Sequence, residues 1–280
     1  MKYFKSVLVV TCIIFFQLTA YASPETHQEL VAEYIHLSGI SEALASMPEQ
    51  FEAVFAQRQL VTKSPKAEQK IAEIIQDSFD LAQAEKETSA ILLQLTDPQF
   101  LEKLNSWLKR PLAQKILNEE NESSRPENQG DMLQYISRLQ TFPPPQKRIA
   151  VMQELEQTTQ LSELSSRLTI DIMRGMIGAF NQGLPEDQRQ EDQEIAEELF
   201  KIKPQLQEGL RQQMVLSSFY IYRNISDDEL DEYIQFYKSD IGKHEIAVVG
   251  QTLSFVLQNW FYEVSDRLID LVQENRGIRM

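Results

Sequence analysis

The sequence predicts an all-α protein, a helical bundle built from two similar helical repeats. Three observations lead there. Apolar residues recur at helical spacing almost throughout, no convincing run of alternating polarity is present, and short segments of the first half return in order in the second. Glycine scarcity agrees. Nine glycines in 280 residues fall well below the usual ~7%, too few for the tight turns of a many-stranded barrel or sandwich.

The first segment reads as an address. Lys2 and Lys5 precede an apolar run over 7–18 and then Ala20-Tyr21-Ala22, the layout of a secretory signal peptide cleaved after Ala22. The run is shorter than the ~20 residues that span a bilayer. Val10 and Thr11 ahead of Cys12 are no lipoprotein signal. Cleavage would remove Cys12, the only cysteine, and with it any thiol nucleophile, iron–sulfur cluster or thiolate zinc site. The expectation is a periplasmic protein with no integral membrane span after cleavage.

The remaining elements follow in order. Ser64-Pro65 reads as an N-cap with proline at the first helical position, and Ile71, Ile74, Ile75, Phe79 and Ala82 fall on one face of the helix it opens. Thr96-Asp97-Pro98 opens another, with a stripe of Phe100, Leu101, Leu104, Trp107 and Leu108. A short helix over 131–139 ends before Pro143-Pro144-Pro145. Leu168, Ile170, Ile172, Met173, Met176, Ile177 and Phe180 line a further helix, interrupted by Asp171 and Arg174 at a spacing suited to an ion pair. Gly175 and Gly178 on that helix would allow close helix contact. Phe219-Tyr220-Ile221-Tyr222 resembles a strand by composition, but its place in the repeat makes it a helix end. Val249, Leu253, Val256, Leu257, Trp260, Val264, Leu268 and Leu271 mark a long C-terminal helix.

The repeat rests on five ordered matches. Ile40-Ser41-Glu42 returns as Leu161-Ser162-Glu163, Phe55-Ala56-Gln57 as Phe180-Asn181-Gln182, and 68–73 as 192–197. The segment 91–104 lies against 221–234, and Trp107-Leu108-Lys109 against Phe236-Tyr237-Lys238 at an offset of 129. The chain then divides into a signal peptide (1–22), a first repeat (23–117), a polar linker (118–130) and a second repeat (131–280).

The stretch Tyr222-Arg223-Asn224-Ile225-Ser226-Asp227-Asp228-Glu229-Leu230, followed by Phe236-Tyr237-Lys238-Ser239-Asp240-Ile241-Gly242-Lys243, resembles the bacterial domain of unknown function 2059 family. Phe236, Tyr237, Ser239, Gly242 and Lys243 match its F-Y-x-S-P-x-G-x-K motif, while Asp240 replaces the proline. The resemblance implies an exported all-helical protein and no activity, because the family has none established. Residue chemistry explains the motif as architecture. Ser226 and Ser239 are placed to cap helices, Ser226 and Glu229 form a capping box, and Gly242 lets two helices approach.

A net charge of −15 argues against nucleic-acid binding and against docking on anionic lipid. His27, His36 and His244 form no ligand spacing, and His244-Glu245 begins a zinc-protease motif without its second histidine. Glu186, Asp187, Glu191, Asp192, Glu194, Glu197 and Glu198, opposed by Arg189, read as a solvated helix face. No catalytic residue, cofactor or metal site is expected. Asp171, Arg174, Met173 and Met176 mark a candidate groove. Trp260, Phe261 and Tyr262 are consecutive and cannot share one helix face, so Tyr262 is the candidate rim or interface residue. The expected function is non-catalytic binding in the cell envelope, to a partner protein or a second copy. The alternative is a carrier of an apolar small molecule or lipid between helices, and the third reading is a hydrolase with an unfamiliar site.

Overall fold

The computed structural model describes residues 24–59 and 65–277. The expected leader at 1–22 and the Ser64 cap lie outside the described residues. Within them the chain is all-α: α1 (Pro24–Ser38), α2 (Ile40–Gln59), α3 (Pro65–Asp77), α4 (Leu81–Leu95), α5 (Pro98–Leu108), α6 (Pro111–Ser124), α7 (Gln129–Leu139), α8 (Gln146–Thr159), α9 (Leu161–Gly183), α10 (Asp192–Ile221), α11 (Asp227–Lys238) and α12 (Asp240–Gly277). Among the described residues there is no strand, and no helix is long and apolar enough to cross a membrane.

Side-chain caps set several boundaries. Asp97 accepts the Phe100 N–H at 2.9 Å and starts α5, with Pro98 in its first turn. Ser226 and Glu229 form the reciprocal capping box that starts α11. Asp80 accepts the Gln83 N–H at 3.0 Å and opens α4. That cap corrects the single stripe expected over 65–82: the chain breaks after α3, and Ala82 is exposed rather than aligned with Ile75. Composition assigns 118–130 to a linker, yet α6 runs on to Ser124. Two left-handed residues make the joints between α1 and α2 (Gly39, φ 73°) and between α8 and α9 (Gln160, φ 51°).

The cores do not divide where the two halves of the sequence do. Val31, Tyr34, Leu44, Leu92, Leu101 and Leu104 bury themselves with Val248 and Val256 of α12. Val151, Met152, Leu155, Phe219, Leu230 and Ile234 do so around Ile116 of α6. Each half thus completes its core with a helix from the other. The two cores meet where Trp107 of α5 and Phe236 of α11 stack, centroids 4.3 Å apart and planes 6° from parallel. A third cluster joins Ile75 of α3 and Ala179 of α9 to Leu257, Trp260, Phe261, Val264 and Leu268 of α12, and the Trp260 indole N–H donates to the Ile75 carbonyl at 3.1 Å. Burial of each large side chain contributes about 1.5–3 kcal/mol, so α12, packed on α3, α4, α5, α9 and α11, is the spine of the molecule.

Gly242 lets that spine start. A Cβ there would lie 2.3 Å from the Phe236 carbonyl oxygen and 2.6 Å from the Tyr237 Cα. Both are backbone, and neither can turn aside. The close contact expected at Gly175 and Gly178 is absent. A Cβ at Gly178 meets nothing within 4 Å, and one at Gly175 meets only Ser265 Oγ at 4.0 Å. Gly242→Ala should therefore lower the melting temperature by about 5 °C or more, the effect of ~2 kcal/mol of overpacking. Gly178→Ala, an open helical position, should leave it unchanged or raise it slightly. Thermal unfolding of both variants checks the contrast.

Candidate functional site

α6 extends far enough to bring Glu119 and Glu120 against the end of α10. Asn224 Nδ2 donates to Glu119 at 3.0 Å. The Tyr222 hydroxyl donates to Glu120 Oε1 at 2.6 Å, and the Tyr233 hydroxyl reaches the same oxygen at 3.2 Å. Tyr233 and Tyr237, one turn apart on α11, bring their hydroxyls to 3.4 Å. Arg148 of α8 holds this corner together, donating to the Tyr222 carbonyl at 2.6 Å and to Asp227 at 2.8 Å.

From the opposite side α12 presents Glu245, 5% exposed. Its Oε1 accepts a long hydrogen bond from Tyr34 of α1 at 3.4 Å, and its Oε2 has no partner. Glu245 and Glu120 both line a partly open cavity of about 400 Å³ bordered by α6, α8, α9, α10, α11 and α12. That volume lies within the range of small-molecule sites, roughly 300–1,000 Å³. Met152, Leu155, Leu161, Leu164, Met214, Ile221, Ile246 and Val249 form its apolar walls. Tyr222, Tyr233 and Tyr237 flank the acidic end, and Glu156, which accepts from Ser162 Oγ, adds a third carboxyl. Leu161 is 47% exposed and stands at the mouth. Beside it a second recess, lined by Thr159, Leu164, Tyr237 and Ile246 in common, carries Arg167, Lys238 and Lys243.

Burial decides the protonation of this end. It pushes the Glu245 carboxyl up to about 8, against the Tyr34 hydrogen bond and with a further push from the charge of Glu120. Burial also raises Glu120, against the opposing hydrogen bonds of Tyr222 and Tyr233. The hydroxyls of Tyr34, Tyr222, Tyr233 and Tyr237 are all raised, chiefly by burial, and stay protonated. Near pH 7 Glu245 is a neutral acid facing an apolar space.

The residues singled out from sequence divide. Ser226 and Glu229 cap α11, and Lys115 reaches Glu229 at 2.7 Å, which with the cap holds that carboxyl down near 2. Ser239 Oγ accepts the Gly242 N–H at 3.2 Å and donates to the Phe236 carbonyl. Phe236 packs on Trp107, Tyr237 lines the cavity, and Lys243 is exposed in the basic recess. Asp171 and Arg174 form no ion pair with each other. Asp171 borders a space of about 30 Å³, room for a single water. Met173 packs beside Ile170 and Leu199, whereas Met176 packs in the cluster around Trp260. They face different cores and line no common groove. Tyr262 is 72% exposed while Trp260 and Phe261 are buried.

Glu120, Glu245, Tyr222 and Tyr233 were not singled out as a site. One signal was present: each acid occupies an apolar-stripe position, Glu120 after Ala113, Ile116 and Leu117, and Glu245 between Ile241 and Val248. No protein-family model, curated protein or solved structure matches the chain. The family resemblance therefore rests on the motif residues alone.

The raised carboxyls make stability depend on pH. A group ionising near 4.5 in the unfolded chain and near 8 in the fold contributes full stability below 4.5, loses it as pH climbs, and has lost it above 8. Glu120 acts in the same direction. Glu229, held near 2, changes stability only below 4.5, outside that window. Between pH 5 and pH 8 the melting temperature should fall by about 10 °C, equivalent to ~4 kcal/mol. Glu245→Gln should flatten most of this slope. An unchanged slope would show that Glu245 is ionised in the fold.

Proposed function

We propose that this protein is an exported, non-catalytic binding protein that carries a small molecule with an apolar body in the cavity among α8, α10, α11 and α12. The observation that carries the reading is an apolar-walled cavity of about 400 Å³ whose lining includes Glu245, a buried acid with an unpartnered Oε2. A buried polar atom without a partner costs about 1–3 kcal/mol, a cost that a bound polar group removes. Between the two binding roles expected from sequence, this favours the carrier over the protein partner. The hydrolase reading has one observation in its favour: Glu245 is a neutral acid near a raised Glu120, an arrangement suited to general acid–base work. Of the hydroxyls that line the same cavity, Thr159, Ser218 and Tyr222 already donate to the Leu155 carbonyl, the Val215 carbonyl and Glu120.

We also infer that the bundle arose by tandem duplication. Trp107 and Phe236, equivalent at offset 129, stack on each other. The caps Asp97 of α5 and Ser226 of α11 are also 129 apart, one residue from the sequence match of 91–104 with 221–234, and at that offset Phe100 corresponds to Glu229 and Lys115 to His244. The pairs observed are Lys115 with Glu229 and Phe100 with His244, the latter at 4.5 Å, the reciprocal contacts of a two-fold relation. Superposing α1, α2, α5 and α6 on α8, α9, α11 and the start of α12 should place Trp107 on Phe236. Helices that followed a different path would remove the inference.

Native mass spectrometry of the protein released gently from its own cell envelope tests the carrier role. The expected result is added mass of a small molecule, lost in Ser217→Trp, which fills the cavity. A bare mass together with no binding of decyl-chain amphiphiles would overturn it. An adduct retained by the Trp variant would place the ligand elsewhere.

A further inference from the structure

The polar groups of the cavity are of one kind. Its lining holds Glu120, Glu156 and Glu245 and no lysine, arginine or histidine. Glu120 Oε1 is already served by two tyrosine hydroxyls, whereas Glu245 Oε2 is buried and unserved. What Glu245 lacks once ionised is a donor. An anionic ligand head would find no cation in the lining, only carboxyls and hydroxyls. A ligand cation would find Glu245, once ionised, as its partner, Glu120 nearby, and the aromatic rings of Tyr222, Tyr233 and Tyr237 in the lining.

We infer that the molecule held in this cavity is an amphipathic amine, its cationic nitrogen at the end formed by Glu120 and Glu245 and its apolar body along Met152, Leu155 and Met214. The inference rests on the small-molecule reading above and adds the chemical class. The groups that face Glu245 are Tyr34 from α1, Tyr237 from α11 and Glu120 from α6. Glu156 of α8 and Tyr222 of α10 line the same space, to which α9 contributes Leu161 and Leu164. On neighbouring parts of α12, His244 meets Phe100 of α5, and Arg167 of α9 approaches Gly250. The cations Arg167, Lys238 and Lys243 stand in the adjoining recess, where Lys238 is bound to Glu154 at 2.5 Å. Glu245, neutral in the empty site near pH 7, must ionise to hold an ammonium group. Binding therefore releases its proton to solvent and strengthens as pH rises towards 8.

Isothermal titration of the purified full chain with decylamine, 1-decanol and decanoate below their aggregation limits tests this. Decylamine should bind about ten- to a hundredfold more tightly than decanol, the worth of a charge-assisted hydrogen bond. It should release about one proton at pH 7, seen as a dependence of the heat on buffer, while decanol releases none. Glu245→Gln should remove that preference and the proton release while leaving decanol affinity in place. Equal binding of all three would keep the small-molecule reading and overturn the amine. Tightest binding of decanoate would overturn it too, moving the head to Arg167 and Lys243. Failure of all three to bind would overturn both readings. Because the amine–alcohol comparison is made on the unaltered chain, the test stands even if the Gln variant does not fold.

Discussion

The stack of Trp107 on Phe236 is the contact on which the rest of the molecule depends, because it fixes how the two halves exchange helices. Once the ends of α5 and α11 lie face to face, the helix leaving each one crosses into the opposite core. α6 delivers Ile116 to the cluster of α8, α10 and α11. α12 delivers Val248 and Val256 to the cluster of α1, α4 and α5. Gly242 makes the second crossing possible, since any Cβ there would strike the backbone of the helix just ended. Each half closes its apolar face with a helix from the other, so the two behave as one core.

The same exchange explains which features were legible in the sequence. Local rules operate within one helix and its flanks, and they read well. Asp97-Pro98 and the Ser226–Glu229 box set helix starts as their chemistry requires, and the consecutive aromatics at 260–262 divided between core and surface as helical geometry demands. Non-local partners were not legible. Glu120 lay in a stretch whose polarity reads as a linker, because nothing nearby in sequence says that Tyr222 and Tyr233, more than a hundred residues on, will bond to it. The glycines at 175 and 178 looked like a contact only because no pattern on α9 shows which neighbour faces them. Met173 and Met176 suggested a groove for the same reason, although they turn to separate clusters.

The polar cavity is not a demand of the fold. Under the inferred duplication, Glu120, Tyr222 and Tyr233 correspond at offset 129 to Val249, Leu93 and Leu104. Those three apolar residues gather in the core of the first half. One half therefore closes this place with aliphatic side chains, the arrangement that hydrophobic burial favours and that carries no desolvation cost. The other half keeps Glu120, Tyr222 and Tyr233 there, and burial raises the Glu120 carboxyl. Packing alone would select the aliphatic solution twice. A buried acid held where the inferred duplication offers an aliphatic alternative in the same chain supports the proposed carrier role, because packing does not call for it.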